Sequence, residues 1–229
     1  MMKKYFLSAL MMVISMTIHA QATDNRTQVL IETSMGNIKI ALYNETPKHR
    51  DNFIKLVKEG FYNGVLFHRV IPEFMVQAGD PTSKRAKPGE LLGGGDLDYT
   101  VPSEVVFPKY YHKHGALAAA QDENAVNNAS SACQFYIVTG KTFGPRMLDK
   151  MLTELTEKSG GKIQFTDEIK NDYKTIGGAP HLDGQYTVFG EVTEGMDVVD
   201  LIQNAEKDQN DRPLQDIKII KAHILSTAK

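Results

Sequence analysis

The chain has 229 residues, 41% of them hydrophobic, with a formal net charge of −2. That is enough apolar chain for one sizeable core, and nothing in it forces a second domain. A mildly acidic balance argues against a nucleic-acid partner, and the single cysteine, Cys133, excludes an intramolecular disulfide, so stability must come from packing.

Lys3 and Lys4 precede an apolar run from Leu7 to Ile18, with small residues at Ala20 and Ala22. This is the pattern of a secretory signal peptide over residues 1–22, cleaved after Ala20 or after Ala22. The run is shorter than the roughly 20 residues that cross a bilayer. A periplasmic or secreted monomer, free of the membrane after cleavage, is therefore expected.

Residues 29–33 and 38–43 read as the arms of a β-hairpin turned at Gly36-Asn37. Thr46 is placed to cap a helix, Pro47 suits its first turn, Phe53, Leu56 and Val57 supply its buried stripe, and Gly60 ends it. Strands are expected again over residues 66–70 and 74–78. The following Gly93-Gly94-Gly95 has no Gly-Lys-Ser/Thr ending and reads as a solvated connection, not a phosphate cradle.

After a strand at residues 134–139 the period changes. Met147, Leu148, Met151, Leu152 and Leu155 share one helical face, and Ile169, Tyr173 and Ile176 form a second stripe closed by Gly177-Gly178, with Ser159-Gly160-Gly161 as the turn between. A strand at 187–192, a short helix at 196–202 and a last strand at 217–224 complete the chain. Many antiparallel strands with two helices outside a helical segment suit either a closed barrel or a sandwich, and periodicity does not choose between them.

The most informative stretch is Phe67-His68-Arg69-Val70-Ile71-Pro72-Glu73-Phe74-Met75-Val76-Gln77-Ala78-Gly79-Asp80. An arginine among aromatics and a glutamine suits a neutral, partly apolar carbonyl ligand. The stretch resembles the signature of the cyclophilins, peptidyl-prolyl cis-trans isomerases. Three further blocks follow in family order: residues 114–120 (His-Gly-Ala-Leu-Ala-Ala-Ala), 134–137 (Gln-Phe-Tyr-Ile) and 181–192, which begins His181-Leu182-Asp183-Gly184.

The resemblance implies a mostly β fold over residues 28–224, an eight-stranded antiparallel barrel capped by two helices, with residues 141–179 as a helical insert where the family's single-domain members have a short loop. It implies an enzyme without cofactor or metal that acts on unfolded or proline-containing exported polypeptides. Arg69 is then the catalytic donor to the twisted amide nitrogen, and Gln77 orients it or holds the peptide carbonyl. Phe74, Met75, Tyr136 and Leu182 line the proline pocket, Ala120 and the Gln121 backbone meet the substrate chain, and Tyr186 completes the site. His181 stands where many members carry tryptophan, which implies weak cyclosporin binding.

Tyr136 replaces a phenylalanine and brings a hydroxyl that needs a partner. His68 is taken as a satisfied structural histidine and Cys133 as an inert residue edging the groove. His112-x-His114 lacks a further placed metal ligand. A proline-peptide binding module or a folding chaperone with little turnover are the alternative readings.

Overall fold

The first hairpin is built by alternating burial. The computed structural model describes residues 25–122 and 124–227, so the expected signal peptide and both of its cleavage sites lie outside the described residues. Strand β1 (Gln28–Thr33) buries Val29, Ile31 and Thr33 and pairs antiparallel with β2 (Gly36–Leu42). The turn sits at Ser34 and Met35, earlier than expected, and Gly36 and Asn37 are already paired with Thr33 and Glu32. Thr33 explains the shift, because its hydroxyl donates to the Gly36 carbonyl at 2.7 Å and accepts the Met35 N–H at 3.0 Å, closing the turn between them.

Helix α1 (Pro47–Lys58) presents Phe53, Leu56 and Val57 to the core. Thr46 holds the N-cap position but does not cap: its hydroxyl turns back to the Tyr43 carbonyl. Glu104, remote in sequence, accepts the N–H groups of Lys48 and His49 at 3.1 and 3.0 Å instead, and a carboxylate there also complements the helix dipole. Gly60 ends the helix as expected, at φ +67°, with Phe61 N–H on the Leu56 carbonyl and Gly60 N–H on that of Val57. This is a Schellman motif.

The remaining strands are β3 (Phe67–Ile71), β4 (Met75–Ala78), β5 (Thr100–Val101), β6 (Ala116–Ala119), β7 (Ser130–Ser131), β8 (Phe135–Val138), β9 (Val188–Glu194) and β10 (Ile219–Ser226). Eight of them form one antiparallel sheet in the order β10-β1-β2-β9-β6-β8-β4-β3, and β5 pairs with β7 separately. The sheet closes on itself, because Gly64 N–H donates to the Ile219 carbonyl and Ile219 N–H to that of Val65, each at 2.8 Å, and Phe67 N–H donates to Ile217 at 2.9 Å. Closure joins the two outer strands of the eight-stranded sheet, so neither is left as a long open edge. The interior holds Ile31, Ile40, Leu117, Phe135 and Phe189, with α1 and α4 (Met196–Gln203) packed against this core through Phe53, Leu56, Val199 and Ile202.

Residues 141–179 carry α2 (Pro145–Lys158) and α3 (Asp167–Thr175), the latter capped by the Thr166 hydroxyl on Ile169 N–H. They build a separate apolar cluster from Tyr111, Phe143, Leu148, Leu152, Ile169 and Tyr173. Met147 and Ile176, expected in the stripes, are 60% and 47% exposed. The pair of helices buries a narrower face than their periodicity allows. At the exit Gly178 lies against the His112 carbonyl, and a Cβ there would stand 2.5 Å from Tyr173 Cε1, so only glycine lets the segment return to the barrel.

Candidate active site

Period-two alternation from the buried Phe67 would point Arg69 into the barrel. A bulge prevents this. Phe67 pairs with Ala78 and Arg69 with the adjacent Gln77, so His68 is the extra residue and every side chain after it changes face. Val70 then returns to the core while Arg69 emerges beside Gln77 on the outer surface. The same outer face carries Met75 from β4, Tyr136 and Val138 from β8, and Ala116 and Ala118 from β6, joined by Phe74, Ala120, Leu182 and Tyr186 in a second apolar cluster.

There the surface sinks into a depression of about 180 Å³ lined by Arg69, Phe74, Met75, Gln77, Ala120, Gln121, Tyr136, Leu182 and Tyr186. Every residue expected at the site is brought together except His181, which stands at its lip with its ring 5.3 Å from that of Phe74. Burial holds the His181 pKa below its ordinary value, as does the nearby His112. Ala120 is fixed by its backbone, donating to Gln134 and accepting from Ser131. Gln121 presents a buried Oε1 without a partner among the described residues. A larger depression, about 570 Å³, lies elsewhere, over α2 and α3.

Arg69 is exposed and loosely held, its Nη1 donating to Gln77 Oε1 at 3.5 Å. Gln77 itself is fixed from below. Its Nε2 donates to Gln134 Oε1 at 2.9 Å, and Gln134 Nε2 donates to the carbonyls of Gly93 and Gly95 at 2.9 and 2.7 Å. The glycine loop is therefore a clasp and not a solvated connection. Its amides turn inward onto buried Asp80, whose Oδ2 accepts Gly93 N–H at 2.6 Å and Gly95 N–H at 3.4 Å, while Oδ1 accepts the N–H and hydroxyl of Thr82. Burial opposes the Asp80 charge, but these donors prevail and hold its pKa below the ordinary value.

The Tyr136 hydroxyl finds its partner in His112 Nε2 at 2.9 Å, and His112 Nδ1 lies 2.8 Å from Asp183 Oδ1. Burial raises the Tyr136 pKa well above that of a free phenol. His114 points elsewhere, with Nδ1 on the Thr139 carbonyl, so the His112-x-His114 spacing does not converge on one ion. His68, displaced by the bulge, is buried with neither ring nitrogen partnered among the described residues, contrary to the expectation of a satisfied histidine. Burial lowers its pKa to about 4. Cys133 belongs to the barrel core and not to the groove edge, its thiol donating to Asp96 and its pKa pushed far up by burial.

Gln134, His112, Asp183 and Asp80 support the site and were not among the residues expected there. Asp80, Gln134 and Asp183 do sit inside the motif blocks. His112 has no local signal, because its role comes from strands that meet only in the fold. The arrangement offers an exposed guanidinium beside an apolar depression, suited to holding a small ring and donating to an adjacent amide.

Comparison with known proteins agrees. The family model of cyclophilin-type peptidyl-prolyl cis-trans isomerases matches residues 28–224. The peptidyl-prolyl cis-trans isomerase ppi1 of Schizosaccharomyces pombe is 34% identical over 195 residues, covering 85% of this chain and 96% of its own length. The peptidyl-prolyl cis-trans isomerase-like 1 of Aspergillus fumigatus is 30% identical over 200 residues, covering 87% and 96%. The crystal structure of a cyclophilin-type isomerase from Cryptosporidium parvum superposes with a TM-score of 0.61 at 25% identity, covering 88% of this chain and 99% of that one. The same protein in the presence of the dipeptide Ala-Pro gives 0.59. With the closed barrel, the outward arginine and the family match over residues 28–224 in agreement, the chain belongs to the cyclophilin-type peptidyl-prolyl cis-trans isomerases.

Proposed function

We propose that this isomerase is exported and turns X-Pro bonds in other exported polypeptides, with Arg69 as the donor that stabilises the twisted amide. The observation that carries the mechanism is the bulge, which sets Arg69 beside Gln77 at the rim of the apolar depression. Rotation about an amide breaks resonance against a barrier of about 18–20 kcal/mol. The twisted nitrogen gains a lone pair that a planar guanidinium can meet and the planar amide lacks, so the donation is selective for the transition state.

Bringing tens of seconds to milliseconds takes about four decades, or roughly 5–6 kcal/mol. One charge-assisted hydrogen bond supplies about 1.5–3 kcal/mol. Desolvation of the amide and retention of the proline ring against Phe74, Met75, Tyr136 and Leu182 supply the rest, while Ala120 and Gln121 meet the flanking chain and His181 and Tyr186 border it. Export rests on the basic-then-apolar start of the chain. The α2–α3 segment is read as an insertion into the family barrel.

Arg69→Ala should lower kcat/KM on a proline peptide by about 10–100-fold with the unfolding midpoint unchanged. Arg69→Lys should recover little, since a point charge cannot reproduce the fork. Near-normal turnover in folded Arg69→Ala would refute the mechanism. Terminal sequencing of the chain recovered from outside the cytoplasm should begin at Gln21 or Thr23, and an intact Met1 there would refute cleavage.

A further inference from the structure

Four polar side chains form a buried line from the floor of the depression to helix α3: Tyr136, His112, Asp183 and Tyr173, each no more than 5% exposed. Asp183 sets the direction of every proton in it. A carboxylate only accepts, and this one receives the His112 backbone N–H at 2.8 Å on Oδ1 and the Tyr173 hydroxyl at 2.5 Å on Oδ2. His112 Nδ1, 2.8 Å from Oδ1, must therefore carry its proton, since a bare nitrogen there would set lone pair against lone pair. With the ring proton on Nδ1, Nε2 is the acceptor for Tyr136 at 2.9 Å.

We infer that Asp183, held from α3 by Tyr173, locks His112 as the Nδ1–H tautomer, so that Tyr136 spends its only proton inward and shows the substrate an acceptor but no donor. This rests on reading the depression as the proline site. The consequence for catalysis follows from amide electronics. A donor to the X-Pro carbonyl favours the charge-separated, planar form and so slows rotation. Tyr136 lines the depression, so a hydroxyl free to turn would be a candidate donor of this kind, and the lock keeps its proton on His112. His112, Asp183 and Tyr173 are on this account positioning residues, and α3 is part of the site although it does not touch the depression.

Nitrogen-15 NMR of the histidine rings, with the His112 signals assigned by loss in His112→Gln, reads the tautomer in the unaltered protein. A protonated Nδ1 and a bare Nε2 are expected, and a protonated Nε2 overturns the inference outright. In Asp183→Ala the acceptor facing Nδ1 is gone, so the ring proton is free to move to Nε2 and release the tyrosine hydroxyl, whereas in Asp183→Asn the His112 backbone N–H keeps the amide oxygen in place and the tautomer with it. Asp183→Ala should therefore lower kcat about tenfold with little change in KM when Tyr136 is present, and less than about threefold in a Tyr136→Phe background.

Equal losses in the two backgrounds would mean that Asp183 only supports the fold and would overturn the catalytic role. Should Asp183→Ala not fold, Asp183→Asn keeps the proposal testable: a bare Nε2 and a loss of kcat below about threefold are expected, and a protonated Nε2 there would overturn the lock. Titration with an Ala-Pro peptide separates the two layers. Tyr136 ring signals that do not respond would sink the proline-site reading on which the catalytic role rests, while the tautomer measurement would stand.

Discussion

Asp80→Asn breaks the clasp on the glycine loop while changing the size of the side chain hardly at all. The carboxylate accepts from Thr82 N–H and hydroxyl at 2.7 and 2.6 Å and from Gly93 N–H at 2.6 Å, with a weaker contact to Gly95 N–H at 3.4 Å. An asparagine that keeps its oxygen toward Thr82 turns an amide NH₂ onto Gly93 N–H. One charge-assisted bond is lost, about 1.5–3 kcal/mol, and a buried donor is left unpaired at about 1–3 kcal/mol, two views of overlapping costs. A net loss of about 2–4 kcal/mol is expected, a large share of the roughly 5–15 kcal/mol that holds a domain folded.

Urea unfolding should show this loss as a lower midpoint at an unchanged slope. The same variant should lose activity, because the loop carbonyls that hold Gln134, and through it Gln77 and Arg69, are no longer fixed. Acid supplies a further check. The folded pKa of Asp80 lies below the ordinary 3.8, so its contribution is present at neutral pH and disappears as pH falls from there through the lower folded value. The variant should lack that part of the acid limb. A destabilisation below about 1 kcal/mol, less than one ordinary buried hydrogen bond, would show that Asp80 does not hold the loop.

His68 should also mark the acid response: with a folded pKa of about 4 against 6.5, the unfolded chain binds its proton first, so stability is full above 6.5 and falls by up to roughly 3 kcal/mol as pH drops toward 4. His68→Phe should flatten that interval in denaturant melts, and an unchanged slope would refute the assignment. Leu148→Ala, at a fully buried site in the cluster of Tyr111, Phe143, Leu152, Ile169 and Tyr173, should cost about 2–5 kcal/mol in global unfolding; a loss confined to α2 and α3 by hydrogen exchange would show that the segment folds separately. Replacing residues 141–179 by a short linker looks harmless from the sequence. Because Tyr173 and Gly178 are built into the surroundings of His112 and Asp183, it should instead impair peptide turnover, and full activity would refute this coupling. Turnover should be flat between pH 7 and 8, since the His181 pKa is held below its ordinary 6.5 and the proposed chemistry transfers no proton; a bell-shaped profile would implicate a titrating group in the chemistry.

Local patterns determined the two arms of the hairpin, the buried stripe and glycine end of α1, most of the stripes of α2 and α3, and the short α4, because hydrophobic period, proline and glycine act within a few residues of themselves. Motif blocks in family order likewise brought out Arg69, Phe74, Met75, Tyr136 and Leu182, and their order implied a barrel that periodicity alone left open. What only the tertiary structure decided is how buried polar groups are satisfied between remote segments. The bulge that turns Arg69 outward exists because β3 must pair with β4 out of simple register. Glu104 replaces Thr46 as the cap of α1, the Gly93–Gly95 loop is drawn in by Asp80 and Gln134, and the hydroxyl of Tyr136 is answered by His112 and, behind it, by a carboxylate held from α3. None of these partners has a fixed sequence spacing: each pairing is imposed by the cost of leaving a buried donor or acceptor unpaired, and that cost is set only when the barrel has closed.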